Sequence, residues 1–193
     1  MEIIKGEDYT GETFEDITIS GLDAREVTFT DCTFRKCRFE KANFSGASFN
    51  DCTFENCELS SPDLYRATLY GVKFEGGKIV GADFSKSNAK FLDIAFKSCV
   101  ISTCNFSTLK LKRVPFLQSR IQDATFIDCD LTEADFSGSD LEGSRFQRCD
   151  FAKADFSRAK NYEIDITINK VKGAEFSLPE ATALFAALGI KLR

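Results

Sequence analysis

Residues 31–59 read DCTFRKCRFEKANFSGASFNDCTFENCEL. Two CxxxxC pairs, Cys32/Cys37 and Cys52/Cys57, invite a zinc or disulfide reading, but the phenylalanines decide the matter. Phe34, Phe39, Phe44, Phe49 and Phe54, followed by Leu59, fall five residues apart. Backwards the same frame runs through Phe29, Ala24, Ile19 and Phe14, and forwards through Leu64, Leu69, Phe74, Ile79 and Phe84. A second frame, offset by two residues, runs from Phe91 through Phe96 and on to Phe156. Of the 20 Phe, 18 sit at a repeat centre. Two residues before the centre the chain is small: Ala42, Ala47, Ala67, Ala82, Ala89, Ala124, Ala134 and Ala154 stand there, and so do all 8 Cys.

The unit is therefore small–polar–large apolar–polar–polar. A period of five matches neither the 3.6 of an α-helix nor the 2 of a plain strand. It matches a chain that turns a corner every five residues, with the small and large apolar positions facing in. Four sides close one square coil of 20 residues, and coils stack at the strand spacing of ~4.8 Å. The pattern predicts an all-β, right-handed quadrilateral β-helix of about seven coils, roughly 34 Å long by that spacing. Cys32 and Cys52, 20 residues apart like Cys37 and Cys57 or Cys129 and Cys149, should then stack inside the rod. A buried thiol packs as a small hydrophobe. Zinc pairs want two-to-four-residue spacers on a flexible knuckle. A disulfide framework belongs to oxidising compartments. Neither metal nor cofactor is expected.

With 193 residues the chain suits one domain with a sizeable core. The β-helix is placed at 1–176, with a frame shift near 85–90 and an irregular end at 160–176; residues 177–193 are read as a C-terminal helix and tail. The two extra residues in SKSNAK, Ser85–Lys90, form either a contact loop or a neutral slip. Ile164, Ile166 and Ile168 alternate, which predicts a short extended segment closing the rod, and Ala174 with Phe176 reads as one more small/large pair. In SLPEATALFAALGIKLR, Ser177 and Glu180 have capping-box spacing, and Pro179 lies in the first turn. Ala181, Leu184, Phe185 and Leu188 form a stripe at helical spacing, Gly189 suits the residue after the helix, and Ile190 and Leu192 follow. That stripe must be buried: it can cap its own rod, or a tail-to-tail homodimer through Phe176, Leu184, Phe185, Leu188 and Ile190 would cover two rod ends at once.

Composition narrows the function. There is no His, the commonest general acid/base, no evident nucleophile with a base and no Gly-rich phosphate loop, so an enzyme is not expected. A net charge of −5 opposes direct nucleic-acid binding, which needs clustered Lys and Arg. No apolar run of ~20 residues offers a membrane span, and MEIIKGEDYTGETFED lacks a signal-peptide core, so a cytoplasmic location is expected.

The units ANFSG from Ala42, ADFSK from Ala82, ADFSG from Ala134 and ADFSR from Ala154 resemble the A(D/N)LXX unit of the pentapeptide-repeat proteins. PEATALFAALGI and NKVKGAEFSLPEA resemble the C-terminal region of the Qnr quinolone-resistance and microcin-immunity subgroup. That resemblance implies a homodimer joined at its C-terminal ends. It also implies a rod that mimics B-DNA, binds DNA gyrase or topoisomerase IV, and protects it from a quinolone or toxin. The long projecting loops of Qnr proteins are absent here. Between Ile121 and Gly143 the chain carries Asp123, Asp128, Asp130, Glu133, Asp135, Asp140 and Glu142 with no Lys or Arg, a candidate acidic contact face. Lys110, Lys112, Arg113 and Arg120 form a basic cluster just before it. The alternative function is a structural or adaptor rod that binds some other protein through a face or an end.

Overall fold

The computed structural model describes residues 3–190; Leu192 lies outside them. Strands of two to four residues alternate with turns, and each pairs in parallel with the segment one coil away. One face carries Asp8–Thr10, Thr28–Thr30, Ser48–Asn50 and Thr68–Tyr70. The next carries six strands, from Thr13–Glu15 to Phe116–Leu117, and the third another six, from Thr18–Ser20 to Arg120–Gln122. The fourth is held by single bridges, such as Asp23 to Asn43 to Asp63, and by the pair Thr125–Ile127 and Arg145–Gln147. The result is a quadrilateral β-helix. The repeat continues beyond Phe156, which pairs in register with Phe176, so the rod has about eight coils and not seven.

The register explains the core. On the second face every large inward position is phenylalanine: Phe14, Phe34, Phe54, Phe74, Phe96, Phe116, Phe136, Phe156 and Phe176 stack with centroids 4.6–5.2 Å apart. The spacing exceeds ring van der Waals thickness, so the rings are offset, the geometry aromatic pairs prefer. Rings of opposite faces meet edge-on across the rod, as Phe96 of the second face does Phe106 of the fourth at 5.9 Å and 85°.

All eight cysteines are buried and unbridged, as the repeat predicted. Volume is only part of their role. The Cys37, Cys57, Cys99, Cys129 and Cys149 thiols each donate to the carbonyl of an inward residue one coil back, at 3.2 Å. Ser144 makes the same bond to Ile121 at 2.7 Å, and Asn169 donates to Phe146 at 3.1 Å. In return the Cys99 N–H donates to the Ser119 hydroxyl (3.1 Å) and the Cys149 N–H to the Asn169 carbonyl oxygen (2.8 Å). The side chain two places before the centre thus satisfies backbone groups that the ladder leaves over, which alanine cannot do. Burial pushes the Cys52 thiol up to about 12 and Cys104 up to about 11, so both stay protonated.

The structure corrects the sequence reading at the slip and at the end. Phe54 pairs with Phe74, 20 residues on, but Phe74 pairs with Phe96, 22 on. The extra residues form a single 3-10 turn, Ala89–Phe91. Ala89 is exposed and Phe91 is 46% exposed, so neither takes the inward place assigned to it. Ser87 fills the small position and donates to the Phe84 carbonyl at 2.6 Å, while Leu92 packs against the core. Likewise Ile164 is buried and Ile166 touches the core, but Ile168 is exposed, because the chain turns at Asp165–Ile168 and does not extend. Asn161 takes a left-handed φ of 56° at a centre position, and Tyr162 fills the core in its place, against Phe156 and Phe176.

The C-terminal helix is Glu180–Leu188, wound as a 3-10 helix and not as an α-helix. The Thr182 N–H donates to the Pro179 carbonyl three residues back, at 3.0 Å. Of its apolar stripe, Leu184 packs against the core. A short α-helix draws its stability mainly from such packing, and one anchored side chain supplies little of it. The Ser177 hydroxyl accepts from the Arg158 N–H at 3.0 Å, tying the helix approach to the rod in place of the expected capping box. Gly189 has φ 68°, as the residue after the helix should.

Two outcomes are expected. A Cβ on Gly77 would lie 2.5 Å from the Cys57 carbonyl oxygen, a backbone atom. Gly77→Ala should therefore cost about 1–3 kcal/mol, as overpacking does, read from urea unfolding. The eight thiols should react slowly with a thiol reagent in the native rod and completely in denaturant; fast titration of several would refute the inward assignment.

Candidate protein-interaction surfaces

Twenty residues make a full turn, so a run of like charge in the sequence becomes a band around the rod and not a patch on one face. Residues 121–140 contain six carboxylates and no Lys or Arg. Asp123, Asp140 and Glu142 lie on the third face, Asp128 on the fourth, Asp130 and Glu133 on the first and Asp135 on the second, by their places in the coil register. Six of the seven candidates share one coil of the rod, Glu142 begins the next, and they share no single face. The flanking bands are opposite in sign: residues 101–120 hold four cations and no carboxylate, and 141–160 hold five cations against three.

The bands pair along the axis. Arg148 makes two bonds to Asp128, at 2.7 and 2.8 Å. Glu133 takes Arg113 at 2.7 Å and Lys112 at 3.7 Å, and Asp140 takes Lys160 at 3.6 Å. The hydrogen bond from Arg148 lowers the Asp128 carboxyl below its ordinary range, and that from Arg113 lowers Glu133. Two members of the basic cluster, Lys112 and Arg113, are thus spent on the acidic band. Asp123, Asp130, Asp135 and Glu142 make no ion pair among the described residues. Asp130 and Asp135 each accept a backbone N–H two residues on, which orients them outward.

At the C-terminal end, Phe176 stacks on Phe156 at 4.9 Å and Leu184 packs on the core. Both therefore serve their own chain. Phe185 (40%), Leu188 (50%) and Ile190 (47%) are exposed, as are Leu178 and Ile168. Tyr162 is buried, its hydroxyl has no hydrogen-bond partner among the described residues, and burial together with the Glu180 charge pushes it up to about 12.

A third surface adjoins the slip, which sequence reasoning read as a contact loop or a neutral slip without its exposed rings. Away from the two ends, the large apolar side chains exposed among the described residues are Tyr65, Tyr70 and Phe91. The signal was available for the tyrosines: each follows a centre directly, where the repeat is otherwise mostly polar. Among the described residues no group of three or more His, Cys, Asp or Glu could hold a metal ion, and no helix is long and apolar enough to cross a membrane.

Comparison with known proteins agrees with this architecture. The family model of the pentapeptide repeat region matches residues 27–102 and 100–176, and the chain belongs to that family. Two solved structures of trypsin-treated variants of QnrB1, a plasmid-mediated fluoroquinolone resistance protein, have the same fold. One is 20% identical with a TM-score of 0.64, covering 98% of this chain and 99% of that one. The other is 22% identical with a TM-score of 0.59, covering 98% and 92%. No protein of curated function matches the sequence.

The ion pairs set an acid limit. Arg25 holds Asp23 down to about 2 by a hydrogen bond, and Asp128 and Glu133 are lowered likewise. A depressed carboxyl stabilises the fold above its unfolded value of about 4 and loses that effect as pH falls through the folded value. The melting temperature should be flat from pH 7 to about 5 and fall below about 4. Arg148→Gln combined with Arg113→Gln should shallow that fall, measured by thermal melts across pH.

Proposed function

We propose that this pentapeptide-repeat protein binds a type II topoisomerase, DNA gyrase or topoisomerase IV, as a surrogate for duplex DNA and shields it from a quinolone or a toxin. No bond is made or broken in this role. The observation that carries the reading is the acidic band. Duplex DNA presents one negative charge per ~1.7 Å, or about three in the ~4.8 Å rise of one coil. Asp123, Asp130 and Asp135 supply that number of carboxylates outside ion pairs around one coil's height, and Glu142 adds another at the start of the next coil. Fixed on a rigid ladder they need no ordering when a basic surface arrives, and opposite charge speeds the encounter. The likeness of PEATALFAALGI to the Qnr subgroup and the fold shared with QnrB1 support the same reading.

In this reading the protein is a cytoplasmic homodimer. Phe185, Leu188 and Ile190, exposed at the rod's end, would meet their twofold copies there and bring two acidic bands into one assembly.

A second reading, an adaptor rod with no topoisomerase role, draws on the cationic bands on either side. They confine the negative field to a narrow level, whereas DNA is uniformly negative.

A supercoiling assay with purified gyrase decides between them. The rod should restore supercoiling under a quinolone, or inhibit it without one. Asp123→Lys with Asp130→Lys and Glu142→Lys should abolish the effect while breaking none of the ion pairs. An unchanged effect in that variant would end the mimicry reading, and no effect of the native rod would favour the adaptor. Light scattering with Phe185→Glu and Leu188→Glu tests the dimer, which should fall to a monomer.

A further inference from the structure

Among the described residues the first coil has a neighbour on one side only. The strands Asp8–Thr10, Thr13–Glu15 and Thr18–Ser20 each stand last in their sheet. The register shows which groups this leaves over. The Thr28 N–H donates back to the Glu7 carbonyl at 3.3 Å, Thr33 to Glu12 at 2.9 Å and Arg38 to Ile17 at 2.7 Å. The equivalent N–H groups one coil earlier, on Asp8, Thr13 and Thr18, therefore point off the end of the rod and have no partner among the described residues. Their surroundings lose cover too: Asp8, Thr10 and Thr13 are exposed, whereas Thr28, Thr30 and Thr33 below them are half-buried. Such a row of unpaired N–H and C=O groups is a template for a further strand.

Charge on the same two faces selects that strand. Residues 7–16 hold Glu7, Asp8, Glu12, Glu15 and Asp16 and no Lys or Arg. Glu7 and Glu12 occupy the small inward position, two places before Tyr9 and Phe14, where the next coils carry Val27, Cys32, Ala47 and Cys52. From that position the Cys32 and Cys37 thiols reach back to the Tyr9 and Phe14 carbonyls of the first coil. Glu12 takes the same place at the edge itself and is exposed. Of the five carboxylates only Glu15 has an ion pair among the described residues, with Arg35 at 4.0 Å, and Arg35 bonds Glu55 at 2.8 Å. On these faces the second coil adds Asp31 and one cation outside an ion pair, Lys36. Lys5, just ahead of the first strand, is drawn to Asp23 at 4.0 Å. Like charge keeps two such edges apart, which disfavours a second copy of this chain. We infer that the edge formed by Asp8–Thr10 and Thr13–Glu15 docks a basic, extended protein segment, which adds to the ladder as a strand. Its backbone pairs with the free N–H and C=O groups, and its Lys or Arg side chains meet Glu7, Asp8, Glu12 and Asp16. Backbone pairing supplies the affinity of such an addition, and side chains supply the choice of partner. The surface lies toward the other end of the rod from the acidic band and does not rest on the topoisomerase reading.

The test uses the full chain and a fluorescent peptide of alternating Lys and Thr, followed by anisotropy; Thr favours the extended backbone. Binding should saturate and weaken as salt rises. The same peptide with its backbone nitrogens methylated keeps the charge and loses the donors, and should bind about tenfold or more weakly. Asp8→Lys with Glu12→Lys should weaken binding of the unmodified peptide by about tenfold or more. Asp93→Lys, at an exposed carboxylate in the middle of the rod, should leave it unchanged. Asp8 and Glu12 are exposed, so thermal melts of that variant should match the parent, and the methylated peptide tests the native rod itself. Absence of saturable binding overturns the assignment. Equal binding of the methylated peptide also overturns it, in favour of charge attraction without a strand, as does equal weakening by Asp93→Lys.

Discussion

One residue in each five-residue unit of the regular coils holds a left-handed backbone, and the square rod follows from it. Every fifth residue from Gly6 to Gly81, and again from Ser98 to Arg158, sits at φ between +49° and +74°. Most of these are not glycine, and the conformation costs a side-chain-bearing residue roughly 1–2 kcal/mol. The ladder offsets it: Asp31, Lys36 and Arg113, all at such corners, donate their N–H to a carbonyl of the next coil at 2.8–3.0 Å. A corner is thus stable only where a coil lies beside it, which makes the coils interdependent, as in other solenoids.

The interior answers to the same constraint. Corners at fixed intervals align like with like every 20 residues, so phenylalanine columns stack and small positions stack beside them. Where a corner leaves a carbonyl or N–H unpaired, thiol, hydroxyl or amide side chains at the small position pair with it. Hence Cys, Ser and Asn alternate with Ala at one place in the repeat. The eight cysteines supply polar pairing within an apolar rod.

Where the corner rhythm stops, surface appears. Between Gly81 and Ser98 the left-handed positions lapse and Phe91 is expelled; after Arg158 they fall out of step, Asn161 turns outward and the last coil ends in exposed apolar groups. The acidic band arises differently. It keeps the rhythm, and the cations that restrain it come from the coils on either side. Two kinds of surface therefore coexist: charged levels set by composition, and apolar corners set by interruption.

The amino-acid sequence by itself determined the period, the inward and outward positions, the burial of all eight cysteines and the existence of a break and a C-terminal helix, because each is a local regularity that a five-residue count exposes. Only the tertiary structure decided that Leu92 and not Phe91 meets the core, that Tyr162 replaces Asn161, that the helix winds as a 3-10 turn and that the rod gains an eighth coil. It alone decided that Asp128, Glu133 and Asp140 are matched by cations on neighbouring coils while Asp123, Asp130, Asp135 and Glu142 are not. The physical reason is that these outcomes rest on contacts between coils, about twenty residues apart in the chain, where small differences in register choose which side chain fits and which charge finds a partner.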